Sequence, residues 1–204
     1  MPIMIRLATL AVASLFLLAP TAFGHTKTAL DPDDTSGPLD IAAVRTTHRV
    51  VGEQSTGDPE HFRRRTILFF RLLTYETWND EALSGEKNFV SFEFDRDDNG
   101  AANRCVVIRD DAQPDLTGRL FKDCTYTSDD RLVAEFVVTR PDEHSVRFSI
   151  AKRQLGRRLW DYRWRAVTSY EEQNPNSPCP APNPHGDGGY GTCADFTKWT
   201  RHSF

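Results

Sequence analysis

Apolar and polar residues alternate along much of this chain with the period of two that is typical of β-strands. Val146, Phe148 and Ile150 fall on one side of such a segment, and serine and arginine side chains fall on the other. This is the pattern of an antiparallel strand with one buried face. Turn residues separate the alternating segments. The pattern predicts eight strands, at residues 39–51, 66–75, 88–94, 104–108, 120–127, 132–139, 145–150 and 159–170.

Strands at this spacing predict an all-β fold, and specifically an antiparallel, jelly-roll-like β-sandwich of about eight strands. The segment 67–73 is apolar on both sides except at Arg71, so it is either a central strand covered on both faces or a short buried helix. Residues 151–155 precede Gly156 and predict one helical turn that ends at this glycine.

Both ends of the chain depart from the strand pattern. Residues 1–24 combine one basic residue, an apolar run and a small-residue ending, which is typical of a secretory signal peptide. The run is too short for a membrane anchor, so we expect a secreted, extracellular protein with no membrane span in the mature chain. Residues 25–38 predict an extended lead-in, and residues 39–170 predict the β-sandwich domain. Residues 171–204 predict an irregular Pro/Gly-rich cysteine tail, closed by a disulfide, that packs on the domain.

Charge and motifs narrow the classes of function. The chain has 25 lysines and arginines against 29 aspartates and glutamates, a formal net charge of −4. Nucleic-acid binding requires concentrated positive charge, so we expect no nucleic-acid partner. The sequence contains neither a G-x-S-x-G nor an H-E-x-x-H motif, and it therefore indicates neither a serine nucleophile nor a catalytic zinc site.

Four cysteines lie in the part of the chain that we expect to be exported: Cys105, Cys124, Cys179 and Cys193. An even number in an oxidising compartment predicts two disulfides, for which three pairings are possible. Proximity along the chain favours Cys105–Cys124 and Cys179–Cys193. Each bond would close a short loop and contribute about 3 kcal/mol in the chain-entropy account.

The segment 94–103 places oxygen-bearing side chains at every second position before Gly100. Calcium prefers six to eight hard oxygen ligands, and glycine permits the sharp reversal that such a loop needs. The predicted ligands are the side chains or backbone carbonyls of Asp95, Asp97, Asn99, Ala101 and Asn103. Water or the acidic segment 31–34 would complete the shell. The alternative is a plain hairpin turn, because Asp, Asn and Gly tolerate positive φ without a metal.

Two groups of aromatic residues are candidates for ligand contact. Tyr75 and Trp78 lie at the end of a predicted strand, where we expect them to be exposed and to bind ligand. Trp160, Tyr162 and Trp164 alternate with charged residues and share one strand face. That face is either core or a platform for sugar rings.

Three segments carry a resemblance to known proteins: DPDDTSGPLDI at 31–41, FDRDDNGAAN at 94–103 and WDYRWRA at 160–166. They resemble a group of secreted actinobacterial β-sandwich proteins and, more distantly, the DOMON-like and family-nine carbohydrate-binding modules. The resemblance covers about residues 31–170. It implies a non-catalytic module, calcium-stabilised through the loop, that binds polysaccharide or another extracellular ligand. A structural or protein-interaction domain of the cell surface is the alternative, followed by an enzyme without a recognised motif.

Overall fold

The computed structural model describes residues 25–35, 37–55, 58–85, 87–110, 116–125, 130–156, 159–171 and 192–204. Within these ranges the protein is all-β, with two antiparallel sheets and twelve strands. The predicted signal peptide at 1–24 and Cys179 lie outside the described residues.

In chain order the elements begin with β1 (Lys27–Leu30), β2 (Ile41–Ser55), β3 (Asp58–Thr74), a 3-10 turn at Asp80–Leu83, β4 (Phe89–Asp95) and β5 (Arg104–Arg109). They continue with β6 (Thr117–Lys122), β7 (Arg131–Val137), β8 (Thr139–Asp142), β9 (Ser145–Ala151) and α1 (Lys152–Leu155). The last three are β10 (Asp161–Glu171), β11 (Thr192–Phe196) and β12 (Thr200–Ser203).

The first sheet has the strand order β1-β2-β3-β9-β8, and the second has the order β11-β10-β4-β5-β6-β7. β12 also pairs with β10, alongside the half of that strand that β11 leaves free. All these pairings are antiparallel. β10 therefore joins the C-terminal strands to the middle of the second sheet.

One aromatic core connects the two sheets. Phe70 of β3 stacks on Phe148 of β9, with ring centroids 4.9 Å apart. The same ring meets Phe92 and Phe94 of β4 edge to face, at 5.6 and 5.4 Å. Edge-to-face pairs of this kind add about 0.5–1.5 kcal/mol to the free energy gained from burial. Phe70 thus links the strands of its own sheet to the opposite sheet.

All eight predicted strands are present, as β2 to β7, β9 and β10. Their ends differ by up to eight residues, because β3 begins at Asp58 rather than at the predicted residue 66. The helical alternative for 67–73 is wrong, because this segment lies in β3 between β2 and β9. Leu68 and Leu72 face the core, whereas Arg71 binds Asp142 at the edge of the sheet (Nη2–Oδ2, 2.5 Å). The helical turn predicted before Gly156 is confirmed by α1.

The described residues contain four strands more than the eight that were predicted. β1 lies in the predicted lead-in, β8 follows β7 after one residue, and β11 and β12 lie in the predicted irregular tail. Each has only four or five residues. Such short segments carry little alternation of their own, and pairing with a longer neighbour stabilises them.

The predicted Cys105–Cys124 disulfide is not formed in the structure, where both cysteines are free thiols. Cys105 is buried in β5 opposite Phe121 of β6, so the strand register does not set it directly opposite Cys124. The two thiols instead interact by a hydrogen bond, and burial raises the pKa of Cys124, which keeps it protonated. Cys193 is buried in β11. Its predicted partner lies outside the described residues, and the Cys179–Cys193 pair stays a prediction.

Candidate functional site

The predicted calcium loop joins β4 to β5 and folds around the carboxylate of Asp95. This side chain is buried, and its oxygens accept the backbone N–H groups of Asp97 (3.2 Å), Asn99 (3.3 Å) and Gly100 (2.9 Å). Asp98 and Gly100 have positive φ values of 56° and 85°, as the chemistry of a tight turn requires. Asp95 therefore acts as an internal cap of the loop.

Two other predicted ligand oxygens also accept hydrogen bonds in this loop. Asn99 Oδ1 accepts from the backbone N–H of Ala101 at 2.9 Å. Asn103 Oδ1 accepts from Arg96 Nε at 2.9 Å. The side chain of Asp97 is exposed. The structure thus keeps all five predicted ligand residues in one loop, and calcium binding there stays a prediction.

Arginines flank the same loop. Asp98 lies between the predicted ligands and pairs with Arg163 (3.1 Å) and with Arg201. These two guanidinium groups lower the pKa of Asp98 through hydrogen bonds. Arg163 also lies 3.9 Å from a carboxylate oxygen of Asp95. Positive charge from β10 and β12 therefore already balances part of the negative charge of the loop.

A surface depression of about 650 Å³ lies beside the 3-10 turn. Its lining combines an aromatic ring, aliphatic groups and hydrogen-bonding side chains. The lining residues are Pro38, Thr77, Trp78, Asn79, Ala82, Arg140 and Glu143. A concave site of this size and composition suits a small molecule or a few units of a polymer.

Trp78 is buried rather than exposed, so the expected exposure was wrong. Its side chain is 6% exposed because the guanidinium of Arg140 lies 3.9 Å from the ring centroid. Arg140 is held in turn by Asp80 (2.9 Å) and by the backbone carbonyl of Glu143 (3.0 Å). The indole Nε1 of Trp78 is buried and has no hydrogen-bond partner in the described part of the chain. Tyr75 is 42% exposed, as expected.

The other predicted aromatic face is divided between core and surface. Tyr162 and Trp164 are buried on β10, whereas Trp160 precedes the strand and is 78% exposed. The core interpretation is therefore correct for two of the three residues. Trp160 does not line the depression.

A cluster of carboxylates, hereafter the acidic cluster, forms where the β1–β2 connection meets β11. It consists of Asp31, Asp34, Asp40 and Asp195. Carboxylate oxygens of Asp31, Asp34 and Asp195 all lie within 4.8 Å of one another. Asp40 is almost fully buried beside Asp195. Sequence reasoning noted the acidic segment but missed Asp195, because nothing in a single sequence pairs positions so far apart.

Burial and mutual repulsion shift the acid–base behaviour of this cluster. Burial, followed by the charge of Asp195, raises the pKa of Asp31 to about 7 and that of Asp40 to about 8. Burial also raises the pKa of Asp195. Carboxyl groups with such pKa values retain protons near neutral pH unless a cation replaces them.

A histidine pair connects the two sheets on another side of the protein. His202 of β12 is fully buried, and its Nε2 lies 3.0 Å from His48 Nδ1 of β2. Its Nδ1 lies 3.2 Å from the hydroxyl of Thr46. Burial, and then the charge of His48, lower the pKa of His202 to about 4. His202 is therefore neutral in the folded protein at neutral pH.

Comparisons with protein-family models, with curated proteins and with solved structures find no match to this chain. Among the described residues, no helix has the length and apolar character needed to cross a membrane.

Proposed function

We propose that the protein is a secreted, non-catalytic binding domain, an antiparallel and jelly-roll-like β-sandwich, that binds polysaccharide at the depression beside Trp78. The observation that carries this proposal is the convergence of an aromatic ring with amide, carboxylate and guanidinium groups in one concave surface. Sugar rings present apolar C–H faces together with hydroxyl groups. A sugar site therefore needs apolar surface to contact and a few fixed polar groups to orient the ring.

The depression offers both kinds of contact. Asn79 and Glu143 are exposed and line it. The Asn79 amide donates to a carboxylate oxygen of Glu81 at 3.4 Å, which leaves its carbonyl oxygen to accept from a ligand. The cation–π contact with Trp78 and the bonds to Asp80 and to the Glu143 carbonyl fix Arg140 in place. A fixed guanidinium loses little side-chain entropy when it donates to a ligand.

Trp78 adds a hydrogen-bond donor at the same place. Its indole N–H is buried without a partner in the described residues, which costs about 1–3 kcal/mol relative to a satisfied donor. A hydroxyl group of the ligand that reaches this N–H would recover part of that free energy. Tyr75 is exposed but does not line the depression, and its hydroxyl donates to the backbone carbonyl of Asp31 at 2.7 Å.

Retention on insoluble polysaccharides tests this proposal. We expect Asn79→Ala and Glu143→Ala each to weaken retention several-fold with little change in melting temperature, because both side chains are exposed and contribute little to packing. Trp160→Ala is the matched control, since it removes an exposed aromatic residue that does not line the depression. Loss of retention in Trp160→Ala alone would place the sugar contact elsewhere.

A second candidate function is protein interaction through β7. This strand is the last of its sheet, and Leu132, Val133 and Val137 on it are 47%, 42% and 76% exposed. An apolar edge strand with unpaired backbone groups is suited to pairing with a strand of another chain. Sedimentation velocity of wild type and Val137→Lys tests pairing between copies. Concentration-dependent association that the lysine abolishes would favour this function, and a wild-type monomer at every concentration would count against it.

A further inference from the structure

We infer that Asp31, Asp34 and Asp195 bind one divalent cation that prefers oxygen ligands, beside the buried carboxylate of Asp40, with calcium as the favoured ion. This inference is independent of the proposed polysaccharide site and of the predicted calcium loop. The acidic cluster lies at the other end of β4 and β10 from that loop, beside the segment that enters β2.

The spacing of the carboxylates fits one ion. Two oxygens that each lie about 2.4 Å from a calcium ion are at most about 4.8 Å apart. Oxygens of Asp31, Asp34 and Asp195 all fall within that limit. Magnesium bonds are about 2.1 Å long, so its ligands can be no more than about 4.2 Å apart. The spacing is compatible with one shared ion. Calcium is favoured because it accepts several carboxylate ligands in irregular geometry, whereas magnesium requires a near-ideal octahedral shell and usually keeps several waters.

Asp40 provides an independent indication of a bound ion. This residue is 2% exposed, and its Oδ1 is buried without a hydrogen-bond partner among the described residues. Asp195 is the neighbouring carboxylate whose charge acts most strongly on Asp40. A buried carboxylate oxygen without a donor is costly, and a cation is the partner that would compensate several such groups at once.

Asp195 is held in position to be a ligand. Its Oδ2 accepts the backbone N–H of Ile41 at 2.7 Å, and its Oδ1 accepts that of Phe196 at 2.6 Å. A carboxylate oxygen has two lone pairs, so each oxygen of Asp195 keeps one for a metal ion. The bond from Ile41 also connects β11 to the first residue of β2. A cation at this junction would therefore fasten the C-terminal strands to the first sheet.

The charge of the cluster also calls for compensation. Burial and the charges of Asp195 and Asp34 raise the pKa of Asp31, whereas the charge of Lys198 lowers it. One lysine cannot balance four carboxylates. A divalent ion among these carboxylates would offset their mutual repulsion.

Isothermal titration of the chelator-treated protein with calcium chloride tests the inference. We expect one cluster site with a Kd on the order of 10⁻⁴ M, in the range of extracellular calcium sites. Asp34→Asn should raise this Kd at least tenfold without loss of folding, because Asp34 is exposed. Asp195→Asn should do the same if it folds, and Asp34→Asn decides the matter if it does not.

Asp97→Asn is the matched control, since it removes one exposed carboxylate from the β4–β5 loop. It should leave the cluster site intact. The inference is overturned if folded wild type binds no calcium, if Asp34→Asn binds it as wild type does, or if Asp97→Asn alone abolishes binding. Magnesium chloride that binds as tightly as calcium would contradict the choice of ion.

Discussion

Replacing His202 should change how the stability of the protein depends on pH. The imidazole is fully buried between the sheets and its pKa is lowered from 6.5 to about 4. The unfolded chain therefore binds a proton near pH 6.5 that the folded protein does not bind until about pH 4. Wild-type stability is complete above pH 6.5, falls as the pH drops toward 4, and loses nothing further from this residue below that.

The lowered pKa of His202 sets the size of this change in the free energy of unfolding. A displacement of about 2.5 pKa units corresponds to about 3.4 kcal/mol when fully expressed at low pH. Between pH 7 and pH 5 the loss is about 2 kcal/mol. The groups whose charges act on His202 are His48, Lys27 and His25. All are basic and oppose its protonation.

Urea denaturation of wild type and His202→Gln at pH 7 and pH 5 measures how much His202 contributes to the pH dependence of the free energy of unfolding. Glutamine keeps an amide that can bond Thr46 and His48 but does not titrate. The free energy of unfolding should therefore fall by about 2 kcal/mol more in wild type than in the variant. His144→Gln is the control, because His144 is exposed in the β8–β9 turn and its replacement should preserve the wild-type slope. Equal pH dependence in wild type and His202→Gln would refute the reasoning.

Three further substitutions test other parts of the structure by chemical denaturation. Asp95→Ala should lower the free energy of unfolding by about 3 kcal/mol, since three backbone N–H groups lose a charged acceptor. Asp97→Ala, the control, should lower it by less than about 0.5 kcal/mol. Similar losses in the two variants would contradict the capping role of Asp95. Trp78→Ala should cost about 3–5 kcal/mol as a buried aromatic truncation, and a neutral result would mean that the ring is exposed in solution. Gly37→Ala should cost at least about 2 kcal/mol, because φ is +120° and the new Cβ would lie 1.7 Å from the Tyr170 hydroxyl; an unchanged stability would show that this close approach is absent.

The strand pattern was predictable where the strands are long and half-buried. β9 and the first half of β10 alternate because one face of each meets the core. A period of two in the sequence reports this arrangement directly. β11 and β12 were not predictable in the same way. Their stability comes from pairing with β10, and a four- or five-residue segment carries too few positions to reveal a period.

The candidate sites depend on contacts between distant parts of the chain. Asp195 bonds Ile41 across 154 residues, and Arg140 covers Trp78 from 62 residues away. Neither relation leaves a local signal in the sequence. The turn chemistry of the Asp95 loop is local and was recognised, but the inward direction of the Asp95 carboxylate follows from its burial in the sheet.

A ¹⁵N–¹H NMR titration with soluble oligosaccharides tests polysaccharide binding at the depression most directly. The indole N–H resonances of the tryptophans report the contact. The protein has four tryptophans, and Trp78 alone among them lines the depression. We predict that the Trp78 indole resonance shifts in a saturable manner and that the Trp160 resonance does not shift. A Trp78 resonance that does not move while other residues respond would contradict it.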